Sequence, residues 1–178
     1  EVPLPGGCVI GERPVDLHLR GLRALGADIV QESGYLRATA SRLRGSRIYM
    51  GGPHGSTVLG TANVMMAACL AEGPTTIEHA AGEPEIQDLA NYLNACGARI
   101  HGAGTNTVTI EGVKRLEGTL HQVIPDRIEA GTFACAVAIT GGDALLKGAR
   151  DDHLSALIDA LEKMGVTCET ADRGLRVH

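Results

Sequence analysis

Aromatic side chains are nearly missing from this chain of 178 residues, which has no Trp, one Phe and three Tyr. Any core must therefore be built from Leu, Ile, Val, Ala and Met. Basic stripes are missing too: the net charge is −5 and no run of like charge stands out, which argues against nucleic acid as a partner. The five cysteines, Cys8, Cys69, Cys96, Cys135 and Cys168, lie far apart with no C-x-x-C pair. That spacing supports neither a metal site nor a disulfide framework, and separated thiols suit a reducing cytosol, hence a cytoplasmic location. No apolar run reaches membrane-spanning length and no signal-peptide pattern is present, so a membrane partner is not expected. The chain opens on Glu1, inside a Gly-rich loop, and is expected to be an internal piece of a longer protein.

Glycine is abundant, at 24 residues, and it punctuates a repeat. Leu17–Ile29, Leu89–Ile100 and Leu154–Thr167 each read as an amphipathic helix with apolar residues at i, i+3, i+4 and i+7. Each is closed by a Gly where a left-handed cap is needed and passes straight into a strand. Paired short strands are expected at 35–40 and 47–50 after the first helix. After the second they are expected at 99–101, 107–111 and 120–124, with turn chemistry at Ala103-Gly104-Thr105-Asn106. A second helix class, Gly60–Ala71 and Gly131–Ile139, is apolar nearly all round and should be central, with Met65 and Met66 in the core. The unit is buried helix, strand, amphipathic helix, strand, strand. A repeat of about seventy residues is too long for a solenoid and predicts an α/β fold with a few copies packed around one axis.

The segment Pro5-Gly6-Gly7-Cys8-Val9-Ile10-Gly11-Glu12-Arg13-Pro14-Val15-Asp16-Leu17-His18 carries the chemistry. Its glycines permit positive φ and close backbone approach. Pro14 is placed to be the first helical residue, with Asp16 in the first turn. Arg13 beside free N–H groups makes an anion site, and the same field favours a thiolate at Cys8. A lone Cys in a Gly-rich turn is ordinarily inert, but this motif is longer than chance supplies. Glu83 and Glu85 flank Pro84 ahead of a helix. They read more simply as N-terminal charge than as an acid–base pair.

Taken with Leu70-Ala71-Glu72-Gly73, Glu83-Pro84-Glu85-Ile86 and Pro125-Asp126-Arg127-Ile128-Glu129-Ala130-Gly131-Thr132, this segment resembles the UDP-N-acetylglucosamine 1-carboxyvinyltransferases along essentially the whole chain. The resemblance implies transfer of enolpyruvyl from phosphoenolpyruvate to the 3-hydroxyl of UDP-N-acetylglucosamine with release of phosphate, at the start of peptidoglycan synthesis. It needs no cofactor or metal, and the partners are those two small molecules. Cys8 is then the proton donor, alkylated in such enzymes by fosfomycin, and Arg13 holds phosphate. Pro14, Val15, Asp16 and Leu17 hold the UDP-sugar, with Asp16 accepting from the uracil N–H. A second UDP-binding loop falls at Gly55, Ser56, Thr57 and Val58, where a Lys common in the family is absent and His54 stands ahead of the loop. Asp126, Arg127 and Glu129 lie at the crossing between domains, as a hinge or a sugar contact.

The implied architecture is the inside-out α/β barrel of repeated βαβαββ units, present here in part: residues 1–124 from the first domain, 125–178 from the second. The Lys-Asn pair and the further Asp and Arg that the family uses would lie outside this piece, which by itself should be inactive. A shikimate-pathway enolpyruvyl transferase of the same fold and a non-catalytic repeat module are the alternatives.

Overall fold

A computed structural model describes residues 1–4, 14–53 and 55–178, and the chain divides into two compact units, Glu1–Gln122 and Val123–His178. In the first unit the chain runs β1 (Val2–Pro3), α1 (Asp16–Ala24), β2 (Asp28–Glu32), β3 (Tyr35–Thr39), β4 (Arg47–Tyr49), β5 (Gly51–Gly52), β6 (Gly55–Ser56), α2 (Val58–Ala68), β7 (Pro74–Glu78), α3 (Pro84–Ala95), β8 (Arg99–His101) and β9 (Thr107–Glu111). The second unit contains α4 (Arg127–Thr140), β10 (Ala144–Lys147), a 3-10 turn at Asp151–His153, α5 (Ser155–Lys163), β11 (Cys168–Ala171) and β12 (Gly174–Val177).

One arrangement occurs three times. A strand leads through a helix into a hairpin, and the hairpin's second strand returns to pair with the first strand. This gives the sheet orders β1-β3-β2, β7-β9-β8 (extended by β4) and β10-β12-β11. The helix ends explain why the hairpins start where they do. Gly26, Gly97 and Gly165 take φ of +94°, +100° and +88°, a region that only glycine enters cheaply. Each sits in the same pair of terminal hydrogen bonds, such as Gly26 N–H to Arg23 O and Ala27 N–H to Leu22 O. That Schellman geometry turns the chain out of the helix directly into β2, β8 or β11. The α/β class and the repeat pattern follow from it.

In the first unit the core lies between the helices and the four-stranded sheet. Ile48, Met50, Val64, Met65, Ile77, Ile86, Val108 and Ile110 are all fully buried or nearly so. These are the aliphatic and sulfur side chains that an aromatic-poor sequence has available. The second unit has a much smaller core around Ala134, Leu154, Leu161, Leu175 and Val177.

Several expectations are corrected. β4 does not pair with β3 but runs parallel to β7, Ile48 opposite Ile77. The backbone bonds Arg44 N–H to Leu25 O and Gly45 N–H to Glu72 O carry the chain into the neighbouring sheet. Residues 120–124 form no strand, and Leu120 is 99% exposed. The stretch beyond β9 is held against α2 and α3 instead, through Val113 N–H to Cys69 O and Glu117 N–H to Cys96 O at their C-terminal ends and the His121 Nε2–Asp88 Oδ1 contact at 2.9 Å within α3. α2 is central, but Met66 lies on its outer side and is 43% exposed. α4 buries only Gly131 and Ala134, leaving Phe133, Cys135 and Ile139 exposed. A helix apolar on every face finds cover only where another element packs against it, and β10, β12 and α5 cover a single side of α4.

Candidate functional site

α1 starts two residues later than the sequence suggests. Val15 is its N-cap, with φ −109° and ψ 8°, and Pro14 precedes the helix rather than opening it. Asp16 stands in the first turn with its carboxylate exposed, as a negative charge favoured by the helix dipole. The second segment begins as a tight antiparallel pair, with Gly51 opposite Ser56 and Gly52 opposite Gly55. Gly55 takes φ +97°. Thr57 then caps α2, its Oγ1 accepting from Gly60 N–H at 3.1 Å. Because that bond uses only a lone pair, the Thr57 hydroxyl keeps its proton for donation to a ligand.

Three contacts bring these segments together. Gly21 of α1 lies so close to α2 that a Cβ there would collide with Val64 Cγ2. Leu17 rests on Gly52, where a Cβ would stand 3.1 Å from its Cδ1. Arg20 Nη1 donates to Gly51 O at 3.0 Å, tying the start of the β5–β6 pair to α1. Pro14, Val15, His18, Thr57, Val58 and Asn63 consequently share the lining of one cavity of about 770 Å³. Two helix N-termini and a free hydroxyl bordering a mainly apolar hollow suit an anionic ligand with a flat, less polar part.

His18 belongs to the same wall. The Asn63 amide donates to its Nδ1 over 2.7 Å, joining α1 to α2. Burial lowers the His18 pKa below its ordinary 6.5, and the nearby Asp16 charge opposes this in part. Burial also pushes the Cys69 thiol up to about 11, with its Sγ donating to Met65 O. A thiol that weakly acidic is no nucleophile at neutral pH.

Cys8, Arg13 and His54 lie outside the described residues. Asp126, Arg127 and Glu129 open α4 in the second unit. Asp126 Oδ1 accepts from Ile128 N–H at 2.8 Å and Glu129 N–H at 3.1 Å, so this carboxylate caps its helix. Glu83 is the N-cap of α3 through its backbone, with Pro84 next and Glu85 in the first turn. One Glu83 oxygen is buried with no hydrogen-bond partner among the described residues. Among those residues no three His, Cys, Asp or Glu side chains gather as for a metal ion, and no helix is long and apolar enough to cross a membrane. Asn63 lines the cavity, which sequence reasoning missed. Its signal was an amide in the mostly apolar stretch Val58-Leu59-Gly60-Thr61-Ala62-Asn63-Val64-Met65-Met66.

A family model described as EPSP synthase (3-phosphoshikimate 1-carboxyvinyltransferase) matches residues 1–178. The chain belongs to this enolpyruvyl transferase family. Its structure is similar to that of the enolpyruvyl transferase NikO from Streptomyces tendae, with a TM-score of 0.76 and 24% identity over 94% of this chain and 42% of that one. Two structures of EPSP synthase from Acinetobacter baumannii are also similar, both with a TM-score of 0.64. One is 27% identical over 93% of this chain and 39% of that one. The other is 26% identical over 98% of this chain and 41% of that one. The chain thus spans about two fifths of the length of these structures.

Proposed function

We propose that this chain is an internal piece of a cytoplasmic enolpyruvyl transferase acting on UDP-N-acetylglucosamine and phosphoenolpyruvate, at the start of peptidoglycan synthesis. The observation that carries the reading is the convergence of Pro14 and Val15 with Thr57 and Val58 on one cavity. Two segments far apart in sequence meet there as adjoining helix starts. A nucleoside diphosphate needs such a surface: amides and a hydroxyl for the diphosphate and apolar walls for the rings, with Asp16, next to Val15 in the first turn of α1 though outside the lining, for the base N–H.

In this reading Cys8 gives a proton to C3 of phosphoenolpyruvate as the sugar 3-oxygen bonds to C2, and the hydroxyl proton leaves with the phosphate as hydrogen phosphate. Breaking the C2–O bond to phosphate and returning a C3 proton to the Cys8 thiolate then restores the double bond and the thiol. A thiol suits the first step because its pKa can be tuned near the working pH. Arg13 holds the phosphate through paired N–H donors. Asp126, Arg127 and Glu129 serve the crossing between two domains, residues 1–124 and 125–178, rather than the chemistry.

A second reading, transfer to 3-phosphoshikimate, is favoured by the likeness to the two structures of EPSP synthase from Acinetobacter baumannii. Phosphate release from phosphoenolpyruvate by the enzyme that carries this chain decides between them. Release with UDP-N-acetylglucosamine and not with shikimate 3-phosphate supports the first reading. The reverse result replaces it by the second, and release with neither leaves a non-catalytic module.

A further inference from the structure

We infer that His18 and Asn63 form a positioning pair that keeps the starts of α1 and α2 level for a nucleoside diphosphate sugar. The inference rests on the reading of Pro14–Leu17 and Gly55–Val58 as the segments that hold this ligand.

The close approach of Gly21 to Val64 sets how far α1 stands from α2. Apolar contact of that kind is non-directional and tolerates sliding along the helix axes. A hydrogen bond does not, because it weakens steeply when distance and angle are lost. The 2.7 Å bond from the Asn63 amide to His18 Nδ1 therefore fixes the axial register of the two helices. His18 directly follows the Pro14–Leu17 segment, and Asn63 lies in the second turn of the helix that Thr57 caps. A slide of one helix would carry its terminal amides out of line with those of the other. Both side chains line the cavity between these helix starts, so the bond sits at the edge of the surface it aligns. Asn63 is exposed on α2, so it is the bond to His18, and not its polarity, that singles it out.

The experiment uses the whole enzyme that carries this chain, as wild type and as His18→Phe, Asn63→Ala, the double variant and His18→Asn. The Oδ1 of Asn at position 18 stands near where Nδ1 stood and can accept from Asn63. Steady-state KM for each substrate, kcat and thermal midpoint are read for every form. KM for UDP-N-acetylglucosamine should rise about three- to tenfold in each single variant, the size of one hydrogen bond. KM for phosphoenolpyruvate should hold. The double variant should be no worse than the worse single, because both remove the same interaction, and His18→Asn should recover most of the loss. Unchanged sugar-nucleotide KM in folded variants, additive losses, or equal rises in both KM values with a lowered thermal midpoint would overturn the pair. If His18→Phe does not fold, the KM values of Asn63→Ala and His18→Asn decide the matter alone, by loss in the first and its recovery in the second. A wild type that does not use UDP-N-acetylglucosamine overturns the functional reading and the pair together, whereas a wild type that does, with indifferent variants, overturns the pair alone.

Discussion

Asn94 clasps the backbone of Ile100 from both sides. Its Oδ1 accepts from the Ile100 N–H at 2.8 Å and its Nδ2 donates to the Ile100 carbonyl at 2.9 Å. The clasp closes the turn from α3 into β8 and holds Ile100 in the core opposite Ile110. Replacing Asn94 with Ala removes both bonds and leaves two partly buried backbone groups to find water. The expected loss is about 1–3 kcal/mol, read as a lower urea midpoint at unchanged slope. Asn94→Asp should do no better, since a carboxylate would then face the Ile100 carbonyl. An unshifted midpoint in Asn94→Ala would mean that water replaces the amide without cost.

Such helix endings are legible in the sequence because they are local. An amphipathic helix followed by Gly at 26, 97 and 165 predicts a left-handed residue there, and all three adopt one. The run at 120–124 looks like a strand for equally local reasons, yet forming a strand depends on a sheet edge that local pattern does not reveal. Met66 and Cys135 fail in the same way: their helices are apolar, but exposure is decided by which neighbours pack where. The candidate site divides likewise. Pro14–Leu17 and Gly55–Val58 could be picked out as segments, but that Pro14 and Val15 line one cavity with Thr57, Val58 and Asn63 depends on how α1 packs on α2.

Asp16 offers the direct test of the sugar-nucleotide segment. Its carboxylate is exposed at the start of α1, and the proposed partner is the uracil N–H. In the whole enzyme, Asp16→Ala should weaken UDP-N-acetylglucosamine binding by roughly 1.5–3 kcal/mol, as expected for a hydrogen bond to a charged group. Phosphoenolpyruvate binding should change little. Steady-state KM values for the two substrates separate these outcomes, and equal effects on both would leave Asp16 as a helix-start charge alone.

The cysteines should differ sharply in reactivity. Cys69 is buried, with its pKa pushed up to about 11, and Cys96 is buried in the same unit. Cys168 is half-buried, and burial with the nearby Glu162 charge raises its pKa as well. Cys135 is exposed on α4 and is the natural competitor for a general alkylating reagent. Fosfomycin with UDP-N-acetylglucosamine should nevertheless mark Cys8 in the whole enzyme, because selective attack needs a thiolate-favouring field, such as the sequence pattern around Cys8 leads us to expect. Peptide mass mapping locates the adduct. Modification of Cys135 instead of Cys8 would remove Cys8 from the proposed chemistry.

His18 makes the first unit's stability depend on pH in a defined direction. Its pKa is below the ordinary 6.5 in the folded protein, mainly because burial disfavours the charged ring. The unfolded chain then binds more protons than the folded one between the folded pKa and 6.5, so stability must fall as pH falls through that window. Above 6.5 the imidazole is neutral in both states and contributes no slope. Among the described residues, the Asp16 charge favours protonation of the ring, and Glu1 lines the same cavity as His18. Neither reverses the direction set by burial. Urea unfolding of the wild type and of His18→Gln at matched pH values from neutral to mildly acidic isolates the contribution, because Gln does not titrate. The wild type should lose more stability than the variant as pH drops below about 6.5. Parallel pH profiles would mean that His18 titrates as it does in the unfolded chain.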